Sequence, residues 1–258
     1  TIPAPSELRL FDSADHVHRD ATFILPEVTS GVLLAGHPTF EGTIRSLGAG
    51  RIENIGDFRT GAGGAVLDIE GRFEWVQGTF TDGDLTVRGL LEFTGRRAST
   101  IGAGATLRTA GIVQTRTGGG IELQAGAEII NTGDWQILTA GNLLSAGGGR
   151  FANEGTYRLI GAVENRVQAG IEFVNRGVLG AESGSLRFAS GIAHEGGVIT
   201  GDGEIAFPGG ASVSPFDGDV EPGTDADRYA VLTWGGDFAP GDPAVLRMEV
   251  SASTAQDQ

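Results

Sequence analysis

Few residues in this sequence have the types and spacing that chemistry requires, and the first of them form a histidine pair near the N terminus. In His16-Val-His18 the two imidazoles lie on one side of a predicted strand, a geometry that can bind a transition metal. The aspartates Asp12, Asp15 and Asp20 are close in sequence. A metal site needs a third or fourth ligand that the sequence does not place, so this pair is a weak transition-metal candidate.

The second candidate is an acidic segment near the C terminus, with five carboxylates in eleven residues. Hard oxygen ligands at this density could bind calcium, although the chain is expected to need no cofactor. The segment lacks the ligand order of an EF-hand and the nonapeptide of calcium-binding β-rolls. A solvated acidic turn is therefore the favoured interpretation. The weak calcium candidates are Asp217, Asp219, Glu221, Asp225 and Asp227.

No set of residues predicts catalysis. Several glutamates follow an apolar strand residue and are predicted to point into solvent. None is predicted to have a second acid, an arginine pair or a histidine nearby, although acid–base hydrolysis needs converging groups. The chain has no cysteine, which excludes a nucleophilic thiol and a zinc–thiolate site. His37 and His194 are isolated and are predicted to be turn residues. The glutamates are Glu53, Glu74, Glu92, Glu122 and Glu172.

Composition indicates which elements must position these groups. Of 258 residues 44 are glycine, and they separate short runs of Val, Ile, Leu, Phe and Thr, which is typical of many short strands joined by tight turns. The formal net charge of −15 argues against nucleic acid and anionic membranes as partners. No apolar stretch approaches the ~20 residues of a transmembrane helix.

A repeat then predicts the architecture. Four segments share an Asn-x-Gly core flanked by apolar residues, and the last three follow one another at 22-residue intervals. A coil of this length holds three short strands and three turns, which predicts an all-β, right-handed parallel β-helix, that is, a β-solenoid. The asparagines are interpreted as a structural ladder at a turn, in preference to a ligand-binding row. They are Asn54, Asn131, Asn153 and Asn175.

The glycines of the motif extend the repeat in both directions. Their steps are 22, 33, 22, 22, 22 and 19 residues, and the long step predicts one irregular coil with an inserted half-turn. Each glycine is expected to supply a positive backbone dihedral angle at a corner of the coil. They are Gly56, Gly78, Gly111, Gly133, Gly155, Gly177 and Gly196.

The repeat divides the chain into three parts. Residues 1–45 contain strand-like runs without the period and are predicted to be an N-terminal cap or divergent first coils. Residues 46–205 are predicted to be regular β-helix coils. Residues 206–258, rich in Pro and Asp, are predicted to form turns and terminal coils that continue in a longer parent protein.

The C-terminal part resembles a known kind of repeat. Val213-Ser-Pro215, Gly-Asp-Phe238, Arg-Met-Glu-Val250 and Asp257-Gln258 are similar in order to the repeat of autotransporter passengers and other bacterial surface β-solenoids. The Asn-x-Gly coils look like those of filamentous-haemagglutinin-type adhesins. The sequence departs from the pattern at Phe216, where the pattern has Gly. The resemblance implies secretion and a role at the bacterial surface.

These observations favour an extracellular structural or adhesive protein of the bacterial cell surface, not an enzyme, which could assemble end to end into filaments. The expected partners are other copies of the chain or other surface proteins, and host or surface glycans. The alternative is a carbohydrate-active β-helix, either a polysaccharide lyase or hydrolase or a glycan-binding module. Two converging carboxylates beside exposed aromatic rings along one groove would favour that alternative.

Overall fold

The structure is a computed structural model. It describes residues 7–11, 16–116, 118–207, 212–222, 231–234, 238–240 and 245–246. For Phe11 and for the residues after 207 the description is limited to the backbone.

Among these residues every regular element is a β-strand. The first twelve strands are β1 Glu7–Phe11, β2 Val17–Arg19, β3 Thr22–Ile24, β4 Gly31–Ala35, β5 Thr39–Leu47, β6 Arg51–Asn54, β7 Arg59–Trp75, β8 Gly78–Phe80, β9 Asp84–Phe93, β10 Ser99–Ile101, β11 Thr106–Thr109 and β12 Ile112–Thr115.

Strands β13 to β22 are all four or five residues long, and β23 and β25 have eleven residues each. The later strands are β13 Ile121–Gln124, β14 Ala127–Asn131, β15 Asp134–Ile137, β16 Leu143–Ala146, β17 Gly149–Asn153, β18 Thr156–Leu159, β19 Glu164–Val167, β20 Ile171–Asn175, β21 Val178–Ala181, β22 Ser185–Phe188, β23 Gly191–Gly201, β24 Glu204–Phe207, β25 Ser212–Pro222, β26 Val231–Trp234, β27 Phe238–Pro240 and β28 Val245–Leu246.

The paired strands are parallel and stack coil upon coil. Ile129 pairs with Phe151, and Phe151 pairs with Phe173, so each residue lies beside the residue 22 positions further on. One coil contains three strands, for example β13, β14 and β15, and the next contains β16, β17 and β18. The predicted all-β parallel solenoid with three strands per coil of about 22 residues is confirmed.

The three strands of a coil define three faces of the solenoid. The first face is an eight-stranded sheet made of β8, β10, β13, β16, β19, β22, β24 and β26. The second face contains β11, β14, β17 and β20, and the third contains β12, β15, β18 and β21. Both belong to one twenty-stranded sheet, because β7, β9, β23 and β25 each run round the corner between the second and third faces.

The coils near the N terminus vary in length. Arg51 pairs with Arg72, 21 residues later, whereas Arg72 pairs with Leu90 after only 18 residues. Strands β1, β2 and β3 nevertheless pair in parallel with β4 and β5, so the described part of residues 1–45 takes the form of coils. The strands stack as in the later coils, but the corners between them differ in number of residues, which explains why the 22-residue period is not visible there.

The predicted half-turn insertion between Gly78 and Gly111 is wrong. Gly78 lies against Gly56 at one corner of the solenoid, whereas Gly111 lies against Gly89 at a different corner. The 33-residue step in the glycine series is therefore a change of corner, and the coils between them continue without an insertion.

The predicted reason for the corner glycines is also wrong for most of them. Of the seven, only Gly78 and Gly196 have a positive φ. At Gly133 a Cβ atom would overlap the carbonyl oxygen of Gly111, and Gly155 and Gly177 are in the same position against the glycine one coil earlier. These glycines are needed because consecutive coils approach each other too closely for any side chain.

Inward-facing side chains fill the centre of the solenoid with a continuous aromatic and aliphatic core. Rings stack along the axis, as Phe151 and Phe173 do with centroids 5.0 Å apart and planes within 5° of parallel. Burial of such rings is the main source of folding free energy. The chain of ring contacts includes Phe40, Phe58, Phe80, Trp75, Phe93, Trp135, Phe151, Tyr157, Phe173, Phe188 and Phe207.

Candidate functional site

The predicted asparagine ladder includes a buried row of hydrogen-bonded side chains on the second face. Asn131 Nδ2 donates to Asn153 Oδ1 at 2.9 Å, and Asn153 Nδ2 donates to Asn175 Oδ1 at 2.7 Å. All three side chains are fully buried. They end strands β14, β17 and β20 and point into the core, so they do not lie at a solvated turn. No ligand outside the solenoid could reach this row.

The row extends beyond the asparagines at both ends. Thr109 Oγ1 donates to Asn131 Oδ1 at 2.9 Å, and Asn175 Nδ2 lies 3.0 Å from His194 Nδ1. The prediction that His194 is a turn residue is wrong, because it lies in strand β23 and is fully buried. Its 19-residue offset from Asn175 is the sequence signal that places it in the row. We call Thr109, Asn131, Asn153, Asn175 and His194 the polar row.

Backbone carbonyl groups determine the direction of these hydrogen bonds. Asn153 Nδ2 also donates to Val178 O at 2.9 Å, and Asn175 Nδ2 donates to Gly177 O at 3.1 Å. A carbonyl oxygen only accepts, so the amide groups cannot be turned round. Asn175 therefore presents a donor to His194, and His194 Nδ1 must accept.

Asn54 does not belong to the polar row. It pairs with Trp75 on the third face, and its Nδ2 donates to Gly56 O at 2.7 Å. The Asn-x-Gly segment at residue 54 matches the later segments in sequence but lies at a different corner of the coil. The predicted equivalence of the four asparagines therefore holds for three of them.

The outward-facing glutamates of the third face are closer together than predicted. Glu53 pairs with Glu74, and Glu74 pairs with Glu92, so three carboxylates occupy one position on adjacent coils. Arginines separate their charges: Arg72 Nε lies 3.4 Å from Glu92 Oε2, and Arg116 Nε lies 2.5 Å from Glu92 Oε1. The prediction that these glutamates have no neighbouring acid and no arginine pair is wrong, and Glu92 is buried where a solvated side chain was predicted. The arginine partners make the arrangement an ion-pair ladder between coils.

We expect Glu92→Ala to destabilise the protein by about 2 kcal/mol. The side chain of Glu92 is only 7% exposed and is shared by two arginines, which would lose their common partner in the middle of the ladder. Chemical denaturation followed by circular dichroism measures the effect. Glu172→Ala is the matched control, since that carboxylate is 66% exposed and lies 3.7 Å from Arg150. Equal losses in the two variants would contradict the interpretation.

The histidine pair lies at the N-terminal end of the core. The ring of His18 packs on Phe40 with centroids 5.9 Å apart, and the rings of His16 and His18 are 6.3 Å apart. Asp20 is engaged elsewhere, because its Oδ1 accepts a hydrogen bond from Thr43 N at 2.8 Å. Asp12 and Asp15 lie outside the described residues. The described residues thus place the two imidazoles against the core without a third ligand beside them.

Burial of His18, followed by the charge of His16, lowers the pKa of His18 below its ordinary value of 6.5. The unfolded chain therefore binds more protons between that value and the folded-state pKa, so the contribution of His18 to stability is complete above 6.5 and falls as the pH is lowered. We expect the protection factors of the amide hydrogens in β2 and β5, which are exchange rates corrected for the intrinsic pH dependence of exchange, to fall when the pH drops from about 7.5 to about 5. His18→Leu should weaken this response and His37→Leu should not; an unchanged response in His18→Leu would contradict it.

The acidic segment is partly in a strand. Asp217, Asp219 and Glu221 lie in β25, which pairs with β23, so this half of the segment is not the turn that was predicted. Their side chains, and the whole of Asp225 and Asp227, lie outside the described residues. Calcium binding by these five carboxylates stays a prediction. Among the described residues no three or more His, Asp or Glu side chains are grouped to hold a metal ion.

A concave surface opens on the third face near the C-terminal end of the fully described coils. It has a volume of about 550 Å³ and lies around Gly180, between Arg158 of the preceding coil and Thr200 of the next. The sequence carries no motif for it, because its walls come from three coils. We call it the Gly180 pit.

Comparisons of the chain with protein-family models, with curated proteins and with solved structures give no match. No helix long and apolar enough to cross a membrane occurs among the described residues. What the structure establishes by itself is the architecture: the chain is a parallel β-solenoid whose inner polar row and outer ion pairs both run along its axis.

Proposed function

We propose that the protein is an extracellular structural or adhesive rod at the surface of a bacterial cell. The observation that carries the proposal is that side-chain hydrogen bonds and ion pairs connect neighbouring coils, both in the core and on the surface. Arg158 bonds Asp134 of the preceding coil at 2.7 Å and Glu182 of the following coil at 2.8 Å. Together with the polar row, such links oppose bending and separation of the coils, as a rod that presents other parts requires.

The inward direction of the aromatic side chains supports a structural role over a carbohydrate-active β-helix that holds a polysaccharide along an aromatic-lined groove. Among the aromatic side chains that the structure describes, Phe23 is partly buried and the rest are buried, so none of them offers an open ring for a sugar to stack on. The stacked Glu74 and Glu92 meet the carboxylate half of the criterion, but both are paired with Arg72. Cleavage of a polysaccharide by the purified protein would reverse this preference.

End-to-end assembly with a second copy is part of the proposal. Leu8 lies in an inward-facing position beside the buried Val32, yet its side chain is 41% exposed. The described residues of β1, β2 and β3 pair on one edge only, with the coil that follows them. A parallel strand edge above uncovered apolar side chains is a template on which another coil can add.

Electron microscopy and sedimentation over a range of concentrations test the assembly. We expect filaments or axial dimers from the parent protein and dispersed particles from Leu8→Asp, since a buried carboxylate opposes docking at that end. Ile112→Asp is the matched control, because Ile112 is 43% exposed on the side of the rod. Dispersed monomers of the parent protein at every concentration would refute assembly and leave the adhesive role to be tested separately.

Antibody labelling of intact and permeabilised cells of the source organism tests the location. Labelling of intact cells is expected. Signal restricted to permeabilised cells would contradict a surface role.

A further inference from the structure

Gly180 interrupts a row of long outward-facing side chains on the third face. The row runs through Glu92, Gln114, Gln136 and Arg158 on successive coils and reaches Gly180 on the next. Thr200 follows it. The missing side chain at Gly180 leaves a gap in this row, and the gap forms part of the Gly180 pit, which has a volume of about 550 Å³.

The backbone does not require a glycine at this position. Gly180 has no positive φ, and an added Cβ would lie 3.6 Å from Arg158 Cβ and from Thr200 O, an ordinary contact. Gly133, by contrast, has no room for a Cβ at all. Glycine inside a strand is destabilising, and it often marks a bend or the close approach of a ligand or of another backbone segment. Backbone geometry therefore does not explain the glycine at position 180. Its effect is to leave open space above the strand.

The walls of the pit carry hydrogen-bonding groups held in place. Arg158 Nε and Nη2 donate to the two carboxylate oxygens of Asp134 at 3.0 and 2.7 Å, and Nη1 donates to Glu182 at 2.8 Å. These bonds raise the pKa of Arg158 and use three of its five N–H groups, so two remain for a ligand. Thr156 and Thr200 also line the pit.

The rest of the lining gives the pit an aliphatic side and an excess of negative charge. Ile160 and Val178 supply the apolar surface. Asp134 and Glu182 both pair with Arg158, which makes two carboxylates to one guanidinium. An anionic ligand would meet net repulsion there. A compact molecule with many hydroxyl groups and an aliphatic face fits both the donors and the apolar side without adding charge.

We infer that the Gly180 pit binds an uncharged sugar residue of a glycan. The inference deepens the adhesive part of the proposed function by naming the ligand class, and it is independent of end-to-end assembly. Sugar binding is measured on the isolated chain, so its failure leaves the filament and location experiments unaffected.

The test is titration calorimetry and saturation-transfer NMR with maltopentaose, cellopentaose, mannopentaose and chitopentaose, and with trigalacturonate as an acidic probe. We expect at least one neutral oligosaccharide to bind with a dissociation constant of about 1 mM, as a half-open pit allows, and trigalacturonate not to bind. Gly180→Leu, which fills the pit, should weaken neutral binding at least about tenfold.

Gly63→Leu is the matched control, because a Cβ at Gly63 meets nothing within 4 Å and that residue lies in β7, in a distant coil. It should bind like the parent protein. Circular dichroism of Gly180→Leu establishes that the coils remain folded, and Thr200→Val provides a milder loss of one hydroxyl group. Binding by none of the neutral oligosaccharides, or equal binding by folded Gly180→Leu and the parent, would overturn the inference.

Discussion

Gly133→Ala is expected to cause a large loss of stability, about 3 kcal/mol or more. The new methyl group would overlap the carbonyl oxygen of Gly111, which belongs to the backbone of the preceding coil and cannot rotate away. Relief requires the coils to separate at that corner, which weakens the strand pairing of β14 and β15 on either side. Thermal and urea denaturation followed by circular dichroism measure the loss.

Gly63→Ala supplies the comparison for this experiment. Its Cβ would meet no atom within 4 Å, and the residue has no positive φ, so stability should be unchanged or slightly increased. If Gly133→Ala were as stable as Gly63→Ala, close approach of the coils would not be the reason for the glycine column.

Asn153→Ala is expected to destabilise the protein by about 3 kcal/mol. Asn153 accepts from Asn131 and donates to Asn175 and to Val178 O, all in the dry interior. Truncation breaks the polar row at its middle, removes three hydrogen bonds and takes from the buried Asn175 Oδ1 the donor that Asn153 supplies, which alone costs about 1–3 kcal/mol less any relaxation. Chemical denaturation at fixed protein concentration gives the difference in free energy of unfolding.

Asn142→Ala is the control with the same change of side chain. Asn142 Oδ1 accepts one hydrogen bond, from Arg166 N, at a more exposed site, so its loss should cost less than about 1 kcal/mol. Comparable destabilisation in the two variants would mean that the polar row contributes no more than a surface hydrogen bond.

The sequence was sufficient to predict the fold class because the regular coils repeat a rare residue. Asparagine occurs six times in the chain, and Asn131, Asn153 and Asn175 occur at a fixed spacing that no helix or hairpin explains. The same pattern could not distinguish one corner of a coil from another. Asn54 with Gly56 and Asn131 with Gly133 both occur at corners where consecutive coils approach closely. Only the strand register shows that the two corners are different.

The outer surface was less predictable, because its contacts join residues about 20 positions apart in coils of unequal length. Glu53, Glu74 and Glu92 are separated by 21 and then 18 residues, so no fixed period reveals that they stack. The Gly180 pit was not predicted either, since a glycine in a chain with 44 of them carries no signal until its neighbours on adjacent coils are known.

The one-way direction of the polar row bears on how such a protein can change its length. Every donor in it points toward the C-terminal end: Thr109 starts it with a hydroxyl, and His194, its last member among the described side chains, accepts through Nδ1. Each coil between these two residues places one asparagine in the row, and that asparagine accepts one hydrogen bond and donates one along the row. Duplication or deletion of a 22-residue asparagine coil therefore leaves no buried group unmatched, so the rod can be lengthened or shortened in whole coils while both ends keep their own residues.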